Sequence, residues 1–221
     1  VVALVPAHDE EVAIGWTVKA LRALHGVDEV VVIADGCSDR TASEAAAAGS
    51  RVLVPPRRLG KGGAVEAALD RVPRADVYVL VDGDVGTTAA EGAKLLGPVL
   101  AGRADMTIAR FPPLEGGGFG LVKGMAARLI RAACRFEATE PLSGQRAITR
   151  QALDACRPLA HGFGLETAMT IDAVRLGFRI EEVPVEMSHR AAGRGVAGFA
   201  HRGRQGIHIA ASALVRLLAL R

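Results

Sequence analysis

Apolar residues along this chain follow two alternating patterns: short continuous runs, and longer stretches with an apolar residue every third or fourth position. Val1–Val5 is an apolar run stopped by Pro6. In Glu10–Leu24, Ile14, Val18, Leu21 and Leu24 recur at helical spacing and predict a helix. "EVVVIADG" (29–36) predicts a buried strand ending in a turn, followed by a helix at 40–48. Ser38 or Asp39 is placed to cap that helix, since a short polar side chain accepts a free backbone N–H there. "RVLVPP" (51–56) predicts a third strand, Gly62–Arg71 a helix and "DVYVLVDGD" (76–84) a fourth strand. Thr88 with Glu91 reads as a capping box for a helix reaching Leu100. "DMTIAR" (105–110) predicts a fifth strand.

The second part is less regular. The loop "PPLEGGGFG" (112–120) leads into a helix over 121–136. "EPLSGQRAITR" (140–150) predicts a turn and a short strand, and "GFGLETAMTIDAVRLG" (162–177) a glycine-led helix. "FRIEEVPVEM" (178–187) alternates like a strand, and its Pro184 points to a sheet edge. An Arg/Gly-rich loop (190–206) precedes a last segment with apolar positions 207, 210, 211, 214, 217 and 218 and polar positions 205, 208, 212 and 216, the pattern of an amphipathic helix. Strands separated by helices predict an α/β fold: a mostly parallel central sheet with helices on both faces, plus a smaller region after it. The chain divides by pattern into 1–110, 111–190 and 191–221, the first two being halves of one domain.

Composition narrows the function classes. The 221 residues, half of them hydrophobic, suffice for one sizeable core. Lys and Arg number 27 against 24 Asp and Glu, too even a balance to mark a nucleic-acid binder. The charge is unevenly spread: from Ser188 onward there are six arginines and no acid. An anionic ligand or surface near this tail, or a solvated basic edge, accounts for that. Cys37, Cys134 and Cys156 show neither a disulfide framework nor a zinc spacing, which fits a reducing, cytoplasmic setting. No apolar run reaches the ~20 residues of a membrane span, and the chain opens on a strand rather than a signal peptide.

In doubly wound sheets ligands sit beyond the carboxyl ends of the strands. Four polar loops fall there: "PAHDEE", "ADGCSD", "RRLGKGG" and "DGDVG". Asp82 and Asp84, at i and i+2, share one face of a strand end, where a hard divalent cation such as Mg2+ or Mn2+ can bridge them and neutralise a diphosphate. The alternative is a solvated pair of loop acids. "PAHDEE" argues against a dinucleotide-binding dehydrogenase, whose first loop needs glycines to admit a pyrophosphate, and "LGKGG" lacks the Walker A pattern. Lys61, flanked by glycines, can still approach a phosphate or base closely.

"LVPAHDEEVAIGWTV", "VVVIADGCSDRTA", "RRLGKGGAVEAAL" and "VLVDGD", in that order and spacing, resemble family 2 glycosyltransferases of the GT-A fold. "EPLSGQRAITR", "GFGLETAMTIDAVRLGFRIEEVPVE" and "SHR" continue the likeness over nearly the whole chain. The second half is most similar to glucosyl-3-phosphoglycerate synthases, with polyprenyl-phosphate sugar transferases next. The resemblance implies that 1–110 binds a nucleotide sugar and 111–190 the acceptor. Pro6, Ala7, His8 and Glu10 would line the nucleotide pocket. Asp35 would accept from the base, and Lys61 would meet base or phosphates. Asp82 would face ribose or metal, Asp84 would ligate the divalent ion, and His189 would be a further ligand. A histidine among carboxylates makes Mn2+ as suitable as Mg2+. Arg190, with Arg194, would sit near the diphosphate.

Cleaving a sugar–phosphate bond builds negative charge on the leaving nucleoside diphosphate, which a cation and arginines stabilise. An inverting enzyme also needs a carboxylate to deprotonate the acceptor. Glu166 is the candidate for that base, with binding of sugar hydroxyls as its other role and complementing a helix N-terminus as a purely structural one. "GGGFG" (116–120) departs from the synthases by carrying Phe119 and Gly120 where they have basic and hydroxyl residues, so a lipid phosphate or a small polar metabolite joins phosphoglycerate as a candidate acceptor. Cys37 reads as a packing residue. The expected function is metal-dependent transfer from a nucleotide sugar, such as UDP-glucose, to a phosphorylated or lipid-phosphate acceptor. The alternatives are a nucleotidyltransferase, whose Gly/Arg-rich first loop is lacking, and a non-catalytic nucleotide-sugar-binding module. The tail helix is suited to packing on the domain, forming a homodimer, or lying at the inner face of a membrane.

Overall fold

The computed structural model of the chain describes residues 1–72, 74–112, 120–160 and 162–188. Phe119, His189, Arg190, Arg194 and the amphipathic tail lie outside them. The strands are β1 Val2–Ala7, β2 Glu29–Ala34, β3 Arg51–Leu53, β4 Val77–Leu80, β5 Met106–Arg110, β6 Arg146–Thr149 and β7 Ile180–Pro184. The α-helices are α1 Ile14–Arg22, α2 Thr41–Ala47, α3 Gly60–Leu69, α4 Gly92–Leu100, α5 Gly120–Cys134, α6 Arg150–Ala155 and α7 Leu165–Arg175. One sheet of order β3-β2-β1-β4-β6-β5-β7 joins all seven strands. Its pairs are parallel except for those of β6, which runs antiparallel to both β4 and β5.

Both faces of the sheet are covered, which is why its central strands read as unbroken apolar runs. Side chains alternate along each strand. Ala3, Val5, Val30, Val32 and Val79 meet Ile14, Val18 and Leu21 of α1 and Leu95, Leu96 and Val99 of α4. Val2, Leu4, Val31, Ile33 and Leu80 meet Ala64, Val65 and Ala68 of α3 and Leu165, Met169 and Ala173 of α7. The helical spacing of Ile14, Val18 and Leu21 thus marks a buried stripe, each member worth about 1.5–3 kcal/mol in the core. Pro184 ends β7 at the sheet edge, where a missing N–H costs no ladder bond.

Three local expectations change. β1 does not stop at Pro6: it continues to Ala7, and Pro6 pairs with Ile33 of β2 beyond the point, Leu4, where the pairing with β4 ends. The first helix begins at Ile14, not Glu10, because residues 8–11 are drawn into the second loop: Thr41 Oγ1 accepts from Glu10 N at 2.7 Å and Asp39 Oδ2 from Glu11 N at 3.0 Å. Asp39 also accepts from Thr41 N at 2.9 Å at the start of α2. The Thr88–Glu91 capping box does not form. A 3-10 segment, Gly86–Glu91, precedes α4. Thr88 Oγ1 donates to Val85 O and accepts from Ser188 N at 3.2 Å, while Glu91 holds Glu186 N and Lys94 at 2.8 and 2.7 Å. Both side chains are spent on anchoring the exit of β7 beside the fourth loop.

Candidate active site

The carboxyl ends of β1, β2 and β4 share one rim. Because β6 runs the other way, its start joins them and brings Gly144 and Gln145 beside the end of β4. Gln145 locks Asp82 from both sides: its Oε1 accepts from Asp82 N and its Nε2 donates to Asp82 Oδ2, each at 2.8 Å. Lys61 Nζ, from the first turn of α3, stands 2.5 Å from Asp82 Oδ1 and 2.8 Å from Glu166 Oε1. Glu166 opens α7 and is nearly buried, at 7% exposure. Burial opposes the charge of Lys61, but Asp82 and Glu166 outweigh it and hold the ammonium above its ordinary range. Three residues far apart in sequence therefore form one ion-paired cluster.

The backbone makes room for that cluster at Gly144. A β-carbon there would stand 2.1 Å from Lys61 Nζ and 2.8 Å from Asp82 Oδ2. Just behind it, Arg146 is 1% exposed and ties β6 to α7, donating to Ser143 O at 2.9 Å and to Thr170 Oγ1 at 3.0 Å. Its burial pulls the guanidinium down to about 10, against the opposing pull of Glu166, so it stays charged at neutral pH.

Asp35 is buried, and both its oxygens accept backbone N–H groups, Leu59 N and Gly60 N, each at 2.7 Å. It anchors the loop that delivers Lys61. Gly60 has φ +73°, the left-handed region that favours glycine at this turn into α3. His8 Nδ1 lies 2.9 Å from Asp35 O. Pro6 and Ala7 are the last residues of β1, and His8 follows them at the rim beside Asp35.

Asp84 follows β4 on a loop held from below by buried Thr17 of α1. Thr17 Oγ1 donates to Gly83 O at 2.9 Å and accepts from Gly86 N at 2.8 Å. Asp84, Trp16, Thr88 and Ser188 line a surface cavity of about 500 Å3. Gly144, Gln145 and Thr17 carried no role in the sequence reading. "SGQR" was visible as a motif, but its partner Asp82 lies 63 residues away from Gln145.

A family model described as glycosyl transferase family 2 matches residues 2–157, a span holding all four rim loops, Asp82, Asp84 and Gln145. The chain belongs to glycosyl transferase family 2. A glucosyl-3-phosphoglycerate synthase of Mycolicibacterium paratuberculosis is 35% identical over 199 residues, 79% of this chain and 60% of that protein. Glycosyltransferase AglJ of Haloferax volcanii is 29% identical over 194 residues, 86% of this chain and 63% of that protein. The chain therefore spans less than two thirds of the length of these relatives. The crystal structure of glucosyl-3-phosphoglycerate synthase from Mycobacterium tuberculosis in complex with Mn2+, UDP and glucosyl-3-phosphoglycerate superposes with a TM-score of 0.83 at 29% identity. It covers 98% of this chain and 79% of that one. The fold is the GT-A fold of those neighbours, as expected from the ordered motifs. For this family 2 member, a helix long and apolar enough to cross a membrane is absent among the described residues.

Proposed function

We propose that this chain transfers a glucosyl group from UDP-glucose to a small phosphorylated acceptor, in a reaction that requires Mg2+ or Mn2+. The observation that carries this reading is the contact of Lys61 with Glu166 and with Asp82, which follows β4 two residues before Asp84. The structural neighbours crystallised with Mn2+ and UDP-glucose, or with Mg2+ and UDP, support the choice of donor and ion.

The residues present fit such an ion. Asp82 presents one oxygen to Lys61 and the other to Gln145, and Asp84, two residues on, supplies a second carboxylate of the hard oxygen type such an ion takes. Ser188 N donates to Thr88 Oγ1, and both residues line the same cavity as Asp84. Asp84 and His189 would hold the cation. When bound, it offsets the negative charge that grows on the diphosphate as the sugar–phosphate bond breaks.

The protein's own groups supply position. Asp82, fixed on both sides, faces the ribose. Asp35 holds the third loop, so that Lys61 stays at the donor. Lys61 takes one oxygen of Glu166, and the other is left to accept hydrogen bonds from sugar hydroxyls. A carboxylate already clamped by an ammonium is better suited to orienting the sugar than to collecting the acceptor's proton. Arg190 would meet the diphosphate.

Calorimetry of UDP binding with Mn2+, and again with chelator, tests the reading. UDP affinity should fall by at least tenfold on chelation and equally in Asp84→Ala, and UDP-glucose should be consumed in the presence of 3-phosphoglycerate or another phosphorylated acceptor. Equal UDP affinity with and without the ion would overturn the metal assignment.

A further inference from the structure

On the outer side of the rim, His8, Asp9 and Cys37 each offer a ligand atom, and these atoms all lie within 4.8 Å of one another. None of the three touches the Lys61 cluster or the loop of Asp84 in the contacts described above. We propose that they form a second metal site, distinct from the diphosphate ion, that takes a thiophilic divalent cation of the Zn2+ type.

The histidine is already set for the task. Its Nδ1 stands 2.9 Å from the carbonyl of Asp35, which can only accept, so Nδ1 carries the hydrogen and, in the neutral ring, Nε2 offers its lone pair. An N–H to backbone carbonyl bond of this kind fixes the tautomer and ring angle of metal-bound histidines. Nε2 points to Asp9, with Oδ2 at 3.5 Å. Ligand atoms on a tetrahedral zinc stand roughly 3.3–3.8 Å apart, as bonds of about 2.0–2.3 Å require. That spacing already holds for the His8–Asp9 pair, and the thiol has only about 1 Å to close.

The carboxylate is held in place as well. Ser38 N donates to Asp9 Oδ1 at 2.7 Å, and the Ser38 hydroxyl lies 3.3 and 3.4 Å from the two Asp9 oxygens. Asp9 has a left-handed backbone, φ +56°, a conformation that aspartate tolerates better than most side chains. Ser38 N lowers the Asp9 carboxyl below its ordinary value against some desolvation, which keeps the oxygen ligand in its ionised form. Cys37 Sγ rests 3.4 Å from Ala7 O, a weak contact that ligation would release. One imidazole, one carboxylate and one thiolate suit zinc rather than the hard Mg2+. Cys37 loses its proton to solvent as the thiolate binds, and exposed Asp9 leaves the fourth position to water.

The first two rim loops would then be clipped together by the ion. His8 belongs to the wall assigned to the nucleotide, so zinc here opposes nucleotide binding, a consequence that rests on the proposed function.

The test uses the chain with saturating Mn2+, which occupies the hard-ligand site. Co2+ replaces Zn2+ as a spectroscopic probe, and Zn2+ affinity is read by competition with a metallochromic chelator. The expected result is a thiolate-to-cobalt charge-transfer band in the native chain and in Cys134→Ser, and none in Cys37→Ser or Cys37→Ala. Zn2+ affinity should fall at least tenfold in Cys37→Ser and in Asp9→Asn. UDP affinity with Mn2+ and no zinc, measured on Cys37→Ser, should be unchanged, which separates this site from the donor site. Absence of the band in the native chain, or its persistence in Cys37→Ser, would overturn the assignment.

Discussion

Gly144→Ala is the sharpest probe of the ion-paired cluster. The added methyl would stand 2.1 Å from Lys61 Nζ and 2.8 Å from Asp82 Oδ2, so Nζ must retreat by more than about 1 Å to reach ordinary contact. That retreat cannot keep both carboxylates at 2.5 and 2.8 Å. One charge-assisted contact is lost or lengthened, a loss of about 1.5–3 kcal/mol in a dry site. Lys61 and Asp82 keep 25% and 27% of their exposure, so solvent screening reduces this to about 1–2 kcal/mol. For a chain of this size each kcal/mol lowers Tm by about 2–4 °C, which predicts a fall of roughly 2–8 °C. Activity should suffer far more, because a misplacement of about 1 Å at a positioning group costs on the order of 100-fold in rate. Thermal unfolding and steady-state sugar transfer with UDP-glucose and Mn2+ read the two effects separately. A double-mutant cycle with Lys61→Ala isolates the cause: with the ammonium gone, the alanine should cost much less than in the native background. Retention of kcat within twofold in Gly144→Ala would refute the claim that glycine is required by the Lys61–Asp82 contact.

Thr17→Val keeps the shape of a buried side chain but removes the hydroxyl that bonds Gly83 O and Gly86 N. It should cost about 1–3 kcal/mol and weaken Mn2+-dependent UDP binding, and unchanged calorimetric affinity would show that the Asp84 loop is held by something else. Asp105 accepts from Arg179 through its side chain and backbone at 2.8–3.0 Å, and the Arg179 side-chain bond is the largest cause of its lowered carboxyl value. The stability that this depressed group provides is present above its unfolded value of about 3.9 and is lost as pH falls through the folded one. Asp105→Asn should therefore be less stable than the native chain at pH 7 by urea unfolding, with the gap closing as pH falls through the depressed folded value; a gap that persists in acid would point to a cause other than charge.

Element types were legible because they follow from near-neighbour rules. Short continuous runs such as "VVALV" and "EVVVIA", bounded by turn signals, read as strands covered on both faces, and the spacing of Ile14, Val18 and Leu21 marks one buried helix stripe. The position of the four rim loops follows from the same alternation, and so do the candidates Lys61 and Asp82, whereas Asp35 comes only from the resemblance to family 2 glycosyltransferases. The Thr88–Glu91 box misled because local hydrogen-bond partners were assumed, whereas the exit of β7, about a hundred residues on, takes both side chains. Thr17 and Gln145 escaped notice for a related reason: each bonds a backbone group more than sixty residues away, and no periodicity encodes that.

The sequence by itself determined the alternation, the buried faces and the residue types at the rim, since these rest on hydrophobic period and turn chemistry within a dozen residues. Only the tertiary structure decided which rim residues touch. The reversal of β6 sets Gly144 and Gln145 against Asp82, and the packing of α3 and α7 on one face of the sheet brings Lys61 to Glu166. Ion pairs and hydrogen bonds act over about 3 Å, so they depend on strand order and helix placement that no local pattern carries.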